Sequence, residues 1–127
     1  MDASFGKKEK LKSQKLIGRL FSEGSSLTVF PIKLIYLGTT HQEVCIKAAV
    51  TVPKKNFKSA VHRNRIKRLL RESYRLNKAL VFNNTEKNFA FLFLYLGKEI
   101  PAFADLESKM KLLLEKFNAQ IHEKTNA

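Results

Sequence analysis

Apolar positions change period along the chain, and the changes mark out the elements. Residues 11–23 read LKSQKLIGRLFSE and place Leu16, Ile17, Leu20 and Phe21 at the three- and four-residue spacing of an amphipathic helix. Gly24 is positioned as its C-cap, and Gly18 weakens its interior. Residues 27–37 alternate instead. Phe30, Ile32, Leu34 and Tyr36 fall on one face, and Val29, Lys33, Ile35 and Leu37 on the other. Pro31 marks an edge or a bulge in that strand. A polar turn at 38–43 leads to a second strand at 44–52, and a hairpin is the economical pairing of the two. Lys33 and Lys47 interrupt the alternation, either as solvated lysines or as the flank of a binding face.

The helical period returns after residue 58. No Gly or Pro occurs from Lys58 to Leu80, and Ser59 is placed to cap a helix N-terminus. At about 100° per residue, Ile66, Leu69, Leu70, Ser73 and Leu76 form a stripe that can face a core. Asn83, Asn84 and Thr85 then signal a turn. Residues 89–96, FAFLFLYL, are apolar on both faces, which suits a central buried strand. Phe89, Phe91, Phe93 and Tyr95 share one of its faces. They are read as core rather than as a base-stacking platform, because the residues between them are also apolar. Leu106, Met110, Leu113, Phe117 and Ile121 define a final helix over 102–121, which should cover the sheet. The resulting order of helix, two or three strands, helix, strand and helix describes one α+β domain over 1–127, with 1–10 and 122–127 expected to be flexible.

Charge changes this picture most in one place. Of the 25 residues from 54 to 78, ten are Lys or Arg and only Glu72 is acidic, so the segment holds +9 of a formal +13. Arg63, Lys67, Arg71 and Arg75 repeat at i, i+4, with Asn64 and Arg68 beside them and Arg65 on the flank. Such a row costs an isolated helix roughly 0.2–0.5 kcal/mol per like-charged pair. A solvated structural face normally interleaves acids, and this one does not. Its arginines suit bidentate phosphate contacts, so a polyanion is the implied partner.

The remaining chemistry is mostly negative. His41, His62 and His122 are scattered and have no metal-ligand partner at i+3 or i+4. Asp occurs only at positions 2 and 105, so the carboxylate cluster of a two-metal nuclease is missing, and no nucleophile motif or phosphate-cradling glycine loop is present. No catalytic residue, protein-bound metal or small-molecule substrate is expected. Cys45 is the single cysteine, which excludes an intramolecular disulfide and fits a reducing cytosol. Residues 1–15 are polar, and no apolar run approaches the roughly 18 residues of a membrane span. Cytoplasmic localisation is expected, with no membrane partner.

The basic segment resembles a known family. Lys54-Lys55, Ala60-Val61, Arg63-Asn64-Arg65, Lys67-Arg68 and Arg71-Glu72 are similar to the signature of the bacterial ribonuclease P protein subunit, and Leu11, Phe21 and Gly24 match its first helix. Ile17 stands where many members carry Phe, Pro53 where many carry a small polar residue, and the loop after Lys55 lacks a common Gly. The resemblance implies an α-β-β-β-α-β-α fold shared with a ribosomal protein domain. It also implies a left-handed crossover through the basic helix, opposite to the general rule. It further implies a non-catalytic subunit of a ribonucleoprotein whose RNA, with bound Mg²⁺, removes the 5′ leader of precursor tRNA. On that reading Arg63, Asn64, Arg65, Lys67, Arg68 and Arg71 meet ribonuclease P RNA. Lys54 and Lys55 border a cleft, and Phe21, Ile17, Lys33 and Ile35 meet the leader. The alternatives are a ribosomal or general RNA-binding protein without a part in cleavage, and a membrane-surface protein using a basic amphipathic helix.

Overall fold

The computed structural model describes residues 6–40, 45–83 and 87–126. Its elements are α1 (Gln14–Glu23), β1 (Ser25–Val29), β2 (Ile32–Thr39), β3 (Ile46–Thr51), α2 (Ala60–Asn77), a single turn α3 (Ala79–Phe82), β4 (Asn88–Tyr95) and α4 (Phe103–Asn126). The strands form one mixed sheet in the order β1-β2-β4-β3. β1 and β2 are antiparallel, as are β2 and β4, whereas β3 and β4 are parallel and joined through α2.

Two expectations about the strands are corrected. The segment expected to be one strand at 27–37 is two, separated by the two-residue turn Phe30-Pro31, where the peptide is cis. Phe30 therefore leaves the apolar face assigned to it and stands 66% exposed. The hairpin is β1–β2, and β2 does not pair with β3, because β4 lies between them. The reason is burial. β4 is apolar on both sides and has five consecutive buried residues, Phe89 to Phe93, so an interior position shields more of it than an edge.

The two faces of the sheet differ. On one, Ile32, Leu34, Tyr36, Ile46, Ala48 and the β4 aromatics meet Ile66, Leu70 and Tyr74 of α2 and Leu106, Met110, Leu113, Leu114 and Phe117 of α4. Phe117 stands edge-on to Phe91, with ring centroids 4.8 Å apart, and Tyr74 lies 5.2 Å from Phe93. The expected aromatic core is thus observed. On the other face Ile35, Ala90 and Leu92 pack with Leu11 and with Leu20 of α1.

Gly24 ends α1 for a different reason than a left-handed cap. Its φ of −71° and ψ of 154° are extended. A Cβ there would come within 2.5 Å of the Leu20 carbonyl oxygen and 2.8 Å of Ile35 Cγ2, so glycine lets the chain turn against β2. Gly18 has no such neighbour.

The N-terminal segment, from Gly6 onward, runs to the edge of the sheet. Lys7–Glu9 form a 3-10 turn, Lys10 bridges Ala48, and the Leu11 amide donates to the Ala48 carbonyl at 2.9 Å. This segment lies along the edge strand β3 and covers part of its hydrogen-bonding edge. At the other end α4 continues to Asn126, beyond the expected stop at 121. The turn expected at 83–85 falls mostly outside the described residues, as do the start of the expected second strand at Val44 and the turn histidine His41.

The two α1 glycines should respond oppositely to alanine. Gly18→Ala should stabilise the protein by about 0.5–1 kcal/mol in urea unfolding, because the methyl meets nothing and helix propensity improves. Gly24→Ala should lower the melting temperature, and equal effects at the two positions would contradict the close approach at Gly24.

Candidate nucleic-acid interface

The basic segment is held from both ends and from beneath. After β3, a turn closes with the Asn56 amide donating to the Pro53 carbonyl at 3.3 Å. Phe57 then plugs into the core, buried, with its ring centroid 6.0 Å from that of Tyr95. Ser59 caps α2 as expected, its Oγ accepting from the His62 amide at 3.4 Å. Lys54, Lys55 and Lys58 all point to solvent around this anchored loop. Phe57 was not singled out from sequence, although a lone aromatic inside a polar basic loop was a signal for such an anchor.

α2 turns Ile66, Leu70, Ser73 and Tyr74 inward. Tyr74 replaces Leu76 in the expected stripe, since Leu76 is 48% exposed. Burial, and secondarily the charge of Glu9, pushes the Tyr74 hydroxyl far above the ordinary phenolic range. Asn64, Arg65, Arg68 and Arg71 are exposed, and Lys67 is half-buried at the margin. These five residues form the outward face.

Three of the segment's ten cations are engaged within the protein. Arg63 is half-buried, and its Nη1 donates to the carbonyls of Phe57 at 2.7 Å and Lys58 at 3.0 Å. It thereby ties the preceding loop to the first turn of α2. Arg75 grips Glu72 through two hydrogen bonds, one of them 3.0 Å from Nε to Oε2. That bond, outweighing a small desolvation cost, holds the Glu72 carboxyl below its usual range, so it is ionised at neutral pH. Lys78 is 2% exposed and its Nζ lies 2.6 Å from Glu9 Oε1, so it joins the junction of α2 and α3 to the N-terminal segment. It does not contribute to the solvent-facing charge.

The face of the sheet that carries α1 also has an open strip. Strand register places Thr28, Lys33, Leu94 and Thr51 side by side across all four strands. Thr28 is exposed and the other three are half-buried. The chain leaving Thr51 continues directly to Lys54 and Lys55. Phe21, on α1, is 59% exposed, so its ring is not part of the core. Ile17 is half-buried in the packing of α1, and Ile35 is only 7% exposed beneath it, so Ile35 supports the helix and offers little surface.

Among the described residues, no group of three or more His, Cys, Asp or Glu side chains is arranged to hold a metal ion. His62 and His122 are exposed and far apart in sequence, and Cys45 is half-buried. Among the described residues, no helix is long and apolar enough to cross a membrane.

An α+β domain with an anchored, outward-facing arginine helix is a protein built to hold a polyanion. Comparison with known proteins gives the family. The Ribonuclease P family model matches residues 5–118. The ribonuclease P protein component of Porphyromonas gingivalis is 38% identical over 86% of this chain and 84% of its own length. That of Chlorobium phaeobacteroides is 32% identical over 96% and 92%. The solved ribonuclease P protein of Thermotoga maritima superposes with a TM-score of 0.69 at 24% identity, over 85% of this chain and 96% of its own. The chain belongs to the ribonuclease P protein family, and its role is that of the protein subunit of this ribonucleoprotein endoribonuclease.

Lys78→Ala should separate architecture from RNA contact. Stranding Glu9 in a partly buried position should cost about 3–5 kcal/mol of stability. The salt dependence of RNA binding by the remaining folded protein should be unchanged. A variant of full stability with a shallower salt slope would return Lys78 to the RNA face.

Proposed function

We propose that the outward face of α2 binds the catalytic RNA of ribonuclease P, and that the α1 side of the sheet receives the 5′ leader of precursor tRNA. The observation that carries the first part is the exposure of Asn64, Arg65, Arg68 and Arg71 on a helix whose other side is locked into the core. Guanidinium groups in this setting can take phosphate oxygens in pairs, and a helix fixed in advance loses little entropy on binding. Lys67 extends the face, and Lys54 and Lys55 border the cleft beside Thr51. Arg63 acts by holding the loop that carries these lysines. Phe21 offers an exposed ring at the edge of α1, and Lys33 a cation on the open strip.

In this proposal the chemistry belongs to the RNA. Hydrolysis of a phosphodiester requires an activated water and stabilisation of the developing charge, which Mg²⁺ held by the RNA would supply. The protein's cations raise affinity and steady the folded RNA. Arginine stays protonated and cannot generate the nucleophile. A cytosolic site of action suits a chain whose single cysteine, Cys45, is not in a disulfide.

Lys67→Ala and Arg71→Ala should each weaken binding to bacterial ribonuclease P RNA. The log–log salt slope should fall by about 0.7–0.9 per lost phosphate contact, with the melting temperature nearly unchanged. RNA-free protein should leave precursor tRNA intact, and adding the RNA with Mg²⁺ should start cleavage. Full affinity in both variants at physiological salt, or cleavage by the protein alone, would end this reading.

Phe21→Ala should reduce the affinity of the assembled ribonucleoprotein for precursor tRNA more than for mature tRNA, by roughly 1–3 kcal/mol if a base stacks on the ring. Equal losses with both RNAs would place the leader elsewhere.

A further inference from the structure

A basic pocket of about 560 Å³ opens on the α1 side of the sheet, away from α2, and none of the roles above uses it. It lies between the start of α1 and the ends of two strands. Lys10, Lys12, Ser13, Leu16 and Arg19 line one wall, and Gly38, Thr39, Thr40 and Lys47 the other. Among the described residues, no carboxylate lines it. Arg19 is turned toward Glu23, 2.8 Å away, so the lysines carry most of its charge.

The pocket's position follows from backbone geometry. The bridge from Lys10 to Ala48 and the hydrogen bond from the Leu11 amide run the N-terminal segment alongside β3. Leu11 is buried on the α1 side of the sheet, and Lys10 and Lys12, its neighbours in the chain, stand exposed at the pocket. Lys47 follows from register. It shares with Ala90 and Leu37 the sheet row that meets the start of α1, and is half-buried there. The hydroxyls of Thr40 and Ser13 stand at the exposed rim.

Six residues of β2 separate Lys33, on the open strip, from Thr39, on the pocket wall. At about 3.3 Å per residue they are some 20 Å apart. The pocket is thus separate from both the α2 face and the strip beside Lys54.

We propose that this pocket is a second phosphate site, taking the RNA backbone at a point distinct from the one held by α2. Lys12 and Lys47 are its principal cations. The inference rests on the reading of this chain as the RNA-binding subunit of ribonuclease P. Its phosphate could belong to ribonuclease P RNA or to precursor tRNA, and the test separates the two.

The full-length variant K12A/K47A is compared with K12R/K47R, and with K67A/R71A as the control for the α2 face. Binding to bacterial ribonuclease P RNA is measured against salt concentration, and the affinity of the reconstituted ribonucleoprotein for precursor tRNA is measured separately. K12A/K47A should bind one of these RNAs at least tenfold more weakly, with the salt slope lowered by about 0.7–0.9 per lost contact, and K12R/K47R should restore both values. A loss confined to assembly assigns the phosphate to ribonuclease P RNA, and a loss confined to substrate affinity assigns it to precursor tRNA. Lys12 is exposed, so K12A alone carries the test if removing Lys47 disturbs the fold, with half the change in slope. Unchanged affinities and slopes in K12A/K47A, alongside weakened binding by K67A/R71A, would overturn the pocket proposal and leave the function standing. Unchanged binding in both variants would overturn the function as well.

Discussion

The insertion of β4 between β2 and β3 is the constraint on which the rest of the structure depends. A strand apolar on both sides needs a neighbour at each edge and a layer on each face. Its edges are filled by β2 and β3, and its aromatic face by Tyr74 and Phe117. Because β3 and β4 run parallel, the chain between them has to cross the sheet, and that crossing is α2. The polyanion-facing helix is therefore fixed by the same packing that satisfies the most hydrophobic strand.

Magnitudes explain why so basic a helix is tolerated. Neighbouring like charges oppose helix formation by a few tenths of a kcal/mol per pair. Burying each of Ile66 and Leu70 contributes roughly 1.5–3 kcal/mol, so packing exceeds the repulsion. The chain also lowers the repulsion itself. Glu72 sits against Arg75, and Arg63 directs its guanidinium to two carbonyls. The charge that remains outward, at Arg65, Arg68 and Arg71, has no acidic partner built beside it among the described contacts. RNA phosphate can meet that charge without first displacing a carboxylate.

The helices and the buried strand were legible in the sequence because each is defined by a local period. Ile66 and Leu70 on α2, the aromatic face of β4, and Leu106 to Phe117 on α4 all stand where periodicity put them. Strand pairing was not legible in the same way. The choice between a β2–β3 hairpin and the insertion of β4 depends on contacts 43 to 63 residues apart, and no turn signal reports them. The family resemblance supplied the third strand, but its place became clear only from the break at Pro31. The basic face was legible as a stripe, yet its individual cations were not. Arg63 and Lys78 look like Arg68 in the sequence. One turns back to the loop and the other is buried, because their partners, a backbone carbonyl and the distant Glu9, leave no periodic trace.

The two faces of the sheet also differ in thickness, and this bears on function. The aromatic side is filled by two long helices, α2 and α4. The opposite side presents Ala90 and Ala49 beside Ile35 and Leu92, and one helix of ten residues covers its middle. Small side chains let α1 lie close, and Gly24 lets the chain turn sharply onto β1 as it leaves the helix. A helix of this length, about 15 Å, cannot cover strands of up to eight residues, which span about 26 Å. Sheet is consequently left open beyond each end of its coverage: the row of Lys33 and Thr51 toward one end, the lysine pocket toward the other. A short helix on a longer sheet thus creates concave, partly basic ground on the side that α2 does not occupy, and a single small domain can offer RNA-sized surfaces on both of its layers.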